Sequence, residues 1–150
     1  MSDRQVVIFK ISNELYALPI MQVNEIVRMQ KVTRVPDAAV FIEGITNLRG
    51  NVIPVVDFRK RFNMVAAEAD DHTRIIVVTA NGQFIGLIVD EVTEVLTIKD
   101  DAIEQARDIG FGIDAQYIDG VAKIGEDLVV LIDLERIFSA AEQKNLAKAL

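Results

Sequence analysis

At 150 residues, with 51% hydrophobic and 26% charged residues, the chain has the composition of one globular domain, not of a disordered or fibrous polymer. Its net charge of −7 disfavours phosphate backbones and anionic lipid headgroups, which need clustered cations. The absence of cysteine excludes a disulfide framework, a thiolate metal site and a thiol nucleophile.

No apolar run approaches the roughly eighteen residues of a membrane-spanning helix. The start, Met1-Ser2-Asp3-Arg4-Gln5, carries no cleavable signal pattern, so a soluble, cytoplasmic protein without direct membrane insertion is expected. Nineteen valines and nineteen isoleucines favour pleated, half-buried surfaces over helix.

In chain order, Gln5 to Ile11 and Leu15 to Ile20 are strand-like runs around a Ser12-Asn13-Glu14 turn. A helical turn is expected at Met21 to Glu25, with extended chain at Ile26 to Met29 and Thr33 to Val35. Pro36-Asp37 suits the first turn of a short helix through Phe41. Glu43 to Leu48 and Val52 to Asp57 form a second hairpin around Arg49-Gly50-Asn51, and Pro54 places that second strand at an edge or a bulge. Phe58 to Phe62 closes it with a helical turn whose cations, Arg59-Lys60-Arg61, are expected to face solvent.

Asn63 to Thr73 reads as a linker. Beyond it Arg74 to Ala80 and Gln83 to Asp90 flank Asn81-Gly82, the strongest short hairpin signal in the chain. Glu91 to Ile98 extends the sheet and Lys99 to Gln116 is an insertion. A last hairpin, Ile118 to Ile124 with Leu128 to Asp133, precedes an amphipathic helix starting at Leu134, and residues 144–150 are expected to fray.

These elements occur twice. Val6 to Val27 superimposes without a gap on Ile75 to Leu96, turn and all, and Glu25 falls on Glu94. Phe41 to Phe62 likewise superimposes on Tyr117 to Phe138, with Gly44 on Gly120 and Asp57 on Asp133. Such self-similarity is the mark of a duplicated supersecondary unit. The expected fold is therefore all-β: one domain of two small five-stranded, SH3-like β-barrels packed together, with short helices and a C-terminal helix. The expected subdomains are 14–80, and 1–13 with 81–143.

Catalysis is hard to build from these parts. The single histidine, His72, lies in the polar linker, and Asp70-Asp71-His72 are adjacent side chains that cannot converge on one ion. Ser2, Ser12 and Ser139 lie at a terminus, a turn and a helix, with no base in reach. Gly110-Phe111-Gly112 lacks the lysine of a phosphate-binding loop. Recurrence of Asp57 and Asp133 points to helix capping. No cofactor and no metal is expected. What remains is Asn47-Leu48-Arg49-Gly50, whose arginine has a glycine, Gly125, at its counterpart. An arginine at a turn can present a rigid five-donor fork to a partner; it can equally pair with Glu25 or Glu43 at the surface.

The segment Phe41-Ile42-Glu43-Gly44-Ile45-Thr46-Asn47-Leu48-Arg49-Gly50-Asn51-Val52-Ile53-Pro54-Val55-Val56-Asp57-Phe58-Arg59 resembles the signature of the CheW family of bacterial chemotaxis coupling proteins. So do Val23-Asn24-Glu25-Ile26-Val27-Arg28 before it and Gly86-Leu87-Ile88-Val89-Asp90 after it. The resemblance implies a non-catalytic adaptor joining the cytoplasmic tip of chemoreceptors to the regulatory domain of the histidine kinase CheA in membrane-associated arrays. It implies two barrels, with the first strand of one repeat completing the other barrel, and a receptor helical hairpin in a hydrophobic groove between them. It carries receptor binding onto Val23, Glu25, Gly44, Asn47 and Arg49, and assigns no kinase-binding residue. The alternatives are a CheW-like scaffold in another receptor–kinase pathway and, in a different class, a small ligand-binding barrel or hydrolase.

Overall fold

The computed structural model of the protein describes residues 3–104 and 115–149. Eleven strands are found among them. β1 (Asp3–Ile11), β2 (Glu14–Pro19), β3 (Val23–Arg28), β4 (Ile42–Leu48) and β5 (Asn51–Asp57) precede the one-turn helix α1 (Phe58–Arg61). β6 (Arg74–Ala80), β7 (Gln83–Val89), β8 (Glu91–Lys99), β9 (Ile103–Glu104), β10 (Ile118–Ile124) and β11 (Asp127–Ile132) lead to α2 (Ala140–Lys148). Most of the insertion expected at Lys99 to Gln116, with its Gly110-Phe111-Gly112 stretch, lies outside the described residues.

The strands make two sheets, of order β8-β1-β2-β11-β10-β9 and β3-β6-β7-β5-β4. The second curls until its edges meet. Thr33, just beyond β3 at one edge, exchanges two 2.8 Å backbone hydrogen bonds with Ile45 of β4 at the other. In the first sheet the edge strands β8 and β9 are separated only by a 3-10 turn at Asp100–Ala102.

The duplication is visible in the register. Val6 pairs with Leu96 as Ile75 pairs with Val27, and both ladders bulge at the same place, between Ile8 and Phe9 and between Val23 and Glu25. β10 and β11 repeat the β4–β5 pairing, bulge included, before Gly120 as before Gly44. Each repeat's opening hairpin, however, sits in the sheet built mainly by the other repeat. The expected exchange of one strand is thus an exchange of two.

The chain accordingly divides elsewhere than at 14 and 80: β1 and β2 with β8 to β11 form one sheet, and β3 to β7 the other. Ser12-Asn13 and Asn81-Gly82 are the physical reason, because a two-residue turn keeps its strands adjacent. Ser12 and Asn81 both take left-handed φ values there, 57° and 52°.

Alternation sends one side of these hairpins into each barrel and the other side between them. Val6, Ile8 and Ala17 pack with Val129 and Leu131 inside the first, and Ile53, Ile75 and Val77 inside the second. Phe9, Ile11, Leu18, Ile76, Val78 and Leu87 share a central core. That is why so many strands are apolar on both faces.

Several local expectations are corrected. Pro36-Asp37 makes a turn and no helix, since Asp37 adopts φ 63°. β5 is an interior strand; Pro54 is tolerated because the ladder to β7 begins only at Val55. The C-terminal helix starts at Ala140, where Ser139 and Glu142 form a capping box, and it is helical to Lys148 with Leu146 fully buried. Asp57 caps α1 as expected, accepting from the Arg59 amide at 2.9 Å, whereas Asp133 accepts from the Glu135 amide at 3.0 Å in a turn that no helix continues.

Of Arg59-Lys60-Arg61, only Lys60 faces solvent as expected. Arg59, 13% exposed, grips Asp90 with Nε and Nη2 and donates also to Ser12 Oγ at the tip of the other sheet's hairpin. Arg61, 11% exposed, donates to the Ile137 carbonyl at 2.8 Å and lies against the Phe41, Phe62, Tyr117 and Phe138 rings. Glu135, the repeat counterpart of Arg59, accepts from the Asn81 amide and from Gln22. Two pseudo-equivalent latches therefore fix the sheets against each other.

Candidate functional site

β4 and β5 turn at Arg49-Gly50, and the geometry of the turn decides where the arginine points. The Asn47 side-chain oxygen accepts from the Gly50 amide at 3.0 Å, an Asx-type closure of the kind that makes asparagine a turn residue. Arg49 takes φ 52°, a left-handed conformation that costs a side-chain-bearing residue energy.

From there Arg49 Nη1 reaches across to Glu25 Oε2 on β3, at 2.5 Å. Glu43, the other acceptor open to it in the sequence, pairs with Lys60 instead. The arginine side chain is 78% exposed and the glutamate 26%. The pair is thus anchored on the acid and free on the base: a guanidinium held in place with most of its donors facing out.

Beside it lies a depression of about 280 Å³ at the mouth of the second barrel, lined by Asn24, Leu48, Ile53, Val77 and Phe84 with the ion pair at its rim. Asn24 is fixed by a 2.7 Å bond from Nδ2 to Thr79 Oγ1. Phe84 is 51% exposed and Ile26, adjacent to Glu25, is 39% exposed. Sequence reasoning missed Phe84. Its signal was an aromatic just after Asn81-Gly82, where the first copy carries Leu15, which is half-buried.

The structure brings Glu25, Asn47 and Arg49 together and leaves Val23 and Gly44 apart from them. Val23 is half-buried at the β3 bulge and packs on the central core. Gly44 is buried at the β4 bulge, where an added Cβ would fall 2.1 Å from the Thr33 carbonyl oxygen. Glycine is required there for the edge-to-edge closure of the barrel. Both residues shape the backbone at the two bulges.

The profile of the CheW-like domain family matches residues 5–142. The chemotaxis protein CheW of Klebsiella aerogenes is 32% identical over 149 residues, covering 97% of this chain and 90% of that protein. The chemotaxis protein CheW of Bacillus subtilis is 40% identical over 105 residues, 70% of this chain and 67% of that one. The crystal structure of the scaffolding protein TtCheW from Thermoanaerobacter tengcongensis superimposes with a TM-score of 0.85 at 37% identity, covering 95% and 92% of the two chains. Repeat, sheet order, signature turn and these matches agree, and the chain belongs to the CheW-like family.

Proposed function

We propose that this protein is a chemotaxis adaptor that docks the cytoplasmic tip of a chemoreceptor on the face around Arg49 and Glu25 and holds the regulatory domain of the kinase CheA on a separate surface. The observation that carries this reading is the Arg49–Glu25 pair. An exposed guanidinium, preset on a left-handed turn beside a depression rimmed by Phe84, suits an amphipathic helix. Such a helix lays its apolar stripe in a trough while polar groups set its register. The rim charge acts chiefly on specificity and association rate.

The protein acts by geometry and performs no chemistry of its own. His72 is exposed in the linker, and the Ser12 hydroxyl accepts from Arg59 rather than facing a base. No helix among the described residues is long and apolar enough to cross a membrane. In this reading, placement at a membrane array comes through the partners, from the cytoplasm. Individually modest contacts gain strength from many linked sites.

The test is receptor-dependent activation of CheA with the Arg49→Glu variant. The expected result is an unchanged fold with receptor coupling weakened about tenfold. Undiminished activation would overturn the assignment of this face.

A further inference from the structure

A groove opens on the first sheet where β2 leaves β11. The parallel ladder there pairs Val129 with Leu15 through Leu131 with Ala17 and then stops. Its counterpart in the second sheet, also of three pairs, is displaced two residues along and runs from Val55 with Gly86 to Asp57 with Ile88. Pro19 stands where the second copy has Ile88, and proline has no N–H to continue a ladder. The strands splay, leaving a cavity of about 320 Å³ floored by Val6, Ala17, Leu131 and Ile132 and walled by Ile20 and Met21, the latter 91% exposed.

The equivalent hollow in the second sheet shows what belongs there. Thr73, Ile88, Asp90 and Glu43, the counterparts of Arg4, Pro19, Met21 and Asp119, line a smaller space of about 170 Å³. It is walled off by the chain's own linker, Ala67, Glu68 and Ala69. Two bonds strap that segment down: Arg59 Nη1 donates to the Val65 carbonyl at 2.9 Å, and the Asp70 amide donates to Thr73 Oγ1 at 2.8 Å. After the second repeat the chain instead forms α2, whose Leu146 enters the central core. Among the described residues, therefore, no segment straps the first sheet's groove.

We propose that this groove is a docking site for a short extended segment of a partner protein, with small apolar side chains and a basic flank, lying as Val65–Ala69 lies on the second sheet. The basic flank follows from the rim. Asp3 and Asp119 stand beside one cation, Arg4, which already bonds Asp119 at 2.7 Å and Asp100 at 3.3 Å. The small side chains follow from the alanines that wall the twin hollow. This surface lies on the other sheet from Arg49, and its occupancy does not depend on the receptor reading.

The test uses the full ¹⁵N-labelled chain and a synthetic peptide copying residues 64–71 with Glu68→Lys, Asp70→Lys and Asp71→Lys. Saturable amide shifts are expected at Val6, Ala17, Asp119 and Leu131. Affinity should drop about tenfold in Met21→Lys and again in Asp119→Lys, both changes at exposed positions, and about tenfold for the unaltered acidic peptide. Three results would overturn the proposal: no shifts at several millimolar peptide; shifts centred on Thr73, Ile88 and Asp90, meaning that the peptide displaces the strap; or the same first-sheet amides moving with protein concentration alone, meaning that a second copy fills the groove.

Discussion

Arg49 and Gly125 occupy the same position in the two copies of one turn, and both are left-handed, with φ of 52° and 62°. The second copy uses the residue for which that conformation is free; the first holds an arginine there against a local cost of about 1 kcal/mol. The ion pair with Glu25 offsets little, because exposed pairs contribute between about 0 and 1 kcal/mol. Arg49→Gly should therefore leave the urea midpoint unchanged or raise stability by up to about 1 kcal/mol, while weakening receptor binding. A stability loss beyond that margin would mark the arginine as a structural residue.

Gly44→Ala should behave in the opposite way. The new methyl carbon would lie 2.1 Å from the Thr33 carbonyl oxygen and 2.7 Å from its carbon, backbone atoms that cannot swing aside as the end of a side chain can. A loss of about 2 kcal/mol or more is expected, with faster amide exchange at Thr33 and Ile45 as the bridge between barrel edges opens. Binding measured on the surviving folded fraction should fall far less than in Arg49→Glu. Equal losses of binding would move Gly44 into the docking face itself.

The contrast between these residues shows what a sequence can and cannot carry. Short-range chemistry was legible: the Asn81-Gly82 turn, the helix cap at Asp57, and the oddity of an arginine where its copy has glycine. So was the duplication, because register repeats with residue type. Which sheet each hairpin joins was not, since Val6–Ile11 and Arg74–Ala80 are apolar on both faces and pair equally well either way. Burial of Arg59 and Arg61 was hidden for a related reason: their partners, Asp90 and the Phe41–Tyr117–Phe138 rings, are brought close only by that exchange. Phe84 was invisible as a surface residue because its copy, Leu15, turns inward.

The Arg59–Asp90 latch predicts a pH dependence. Burial pushes the Asp90 carboxyl up, but the Arg59 guanidinium and the Ser12 amide more than offset it and hold the group below the ordinary carboxylate value. A depressed folded-state pKa contributes stability that is present above the unfolded value, near 4, and lost as pH falls through the folded one. Asp57 runs the other way: burial outweighs the Arg59 amide and raises it, so its ionisation costs stability as pH climbs above about 4. Asp90→Asn should lose about 1–3 kcal/mol at neutral pH. The gap to the unaltered protein should narrow below about pH 4 in urea titrations. A gap independent of pH would show that the latch works by shape and not by charge.

Arg61 tests the other contact between repeats. Its guanidinium carbon lies 5.1 Å from the Tyr117 ring centre, 5.3 Å from Phe62 and 5.6 Å from Phe138. Its Nε bonds the Ile137 carbonyl, and its Nη2 bonds Glu142 in the first turn of α2 at 3.2 Å. A planar fork can stack and bond at once; an ammonium group cannot. Arg61→Lys keeps the charge but should cost about 1–2 kcal/mol, combining lost stacking with an unsatisfied carbonyl. The loss should be concentrated in α2, read as increased amide exchange around Asn145 and Leu146 before global unfolding. If exchange rose uniformly across both sheets instead, Arg61 would be a general core residue rather than the clamp that holds the C-terminal helix.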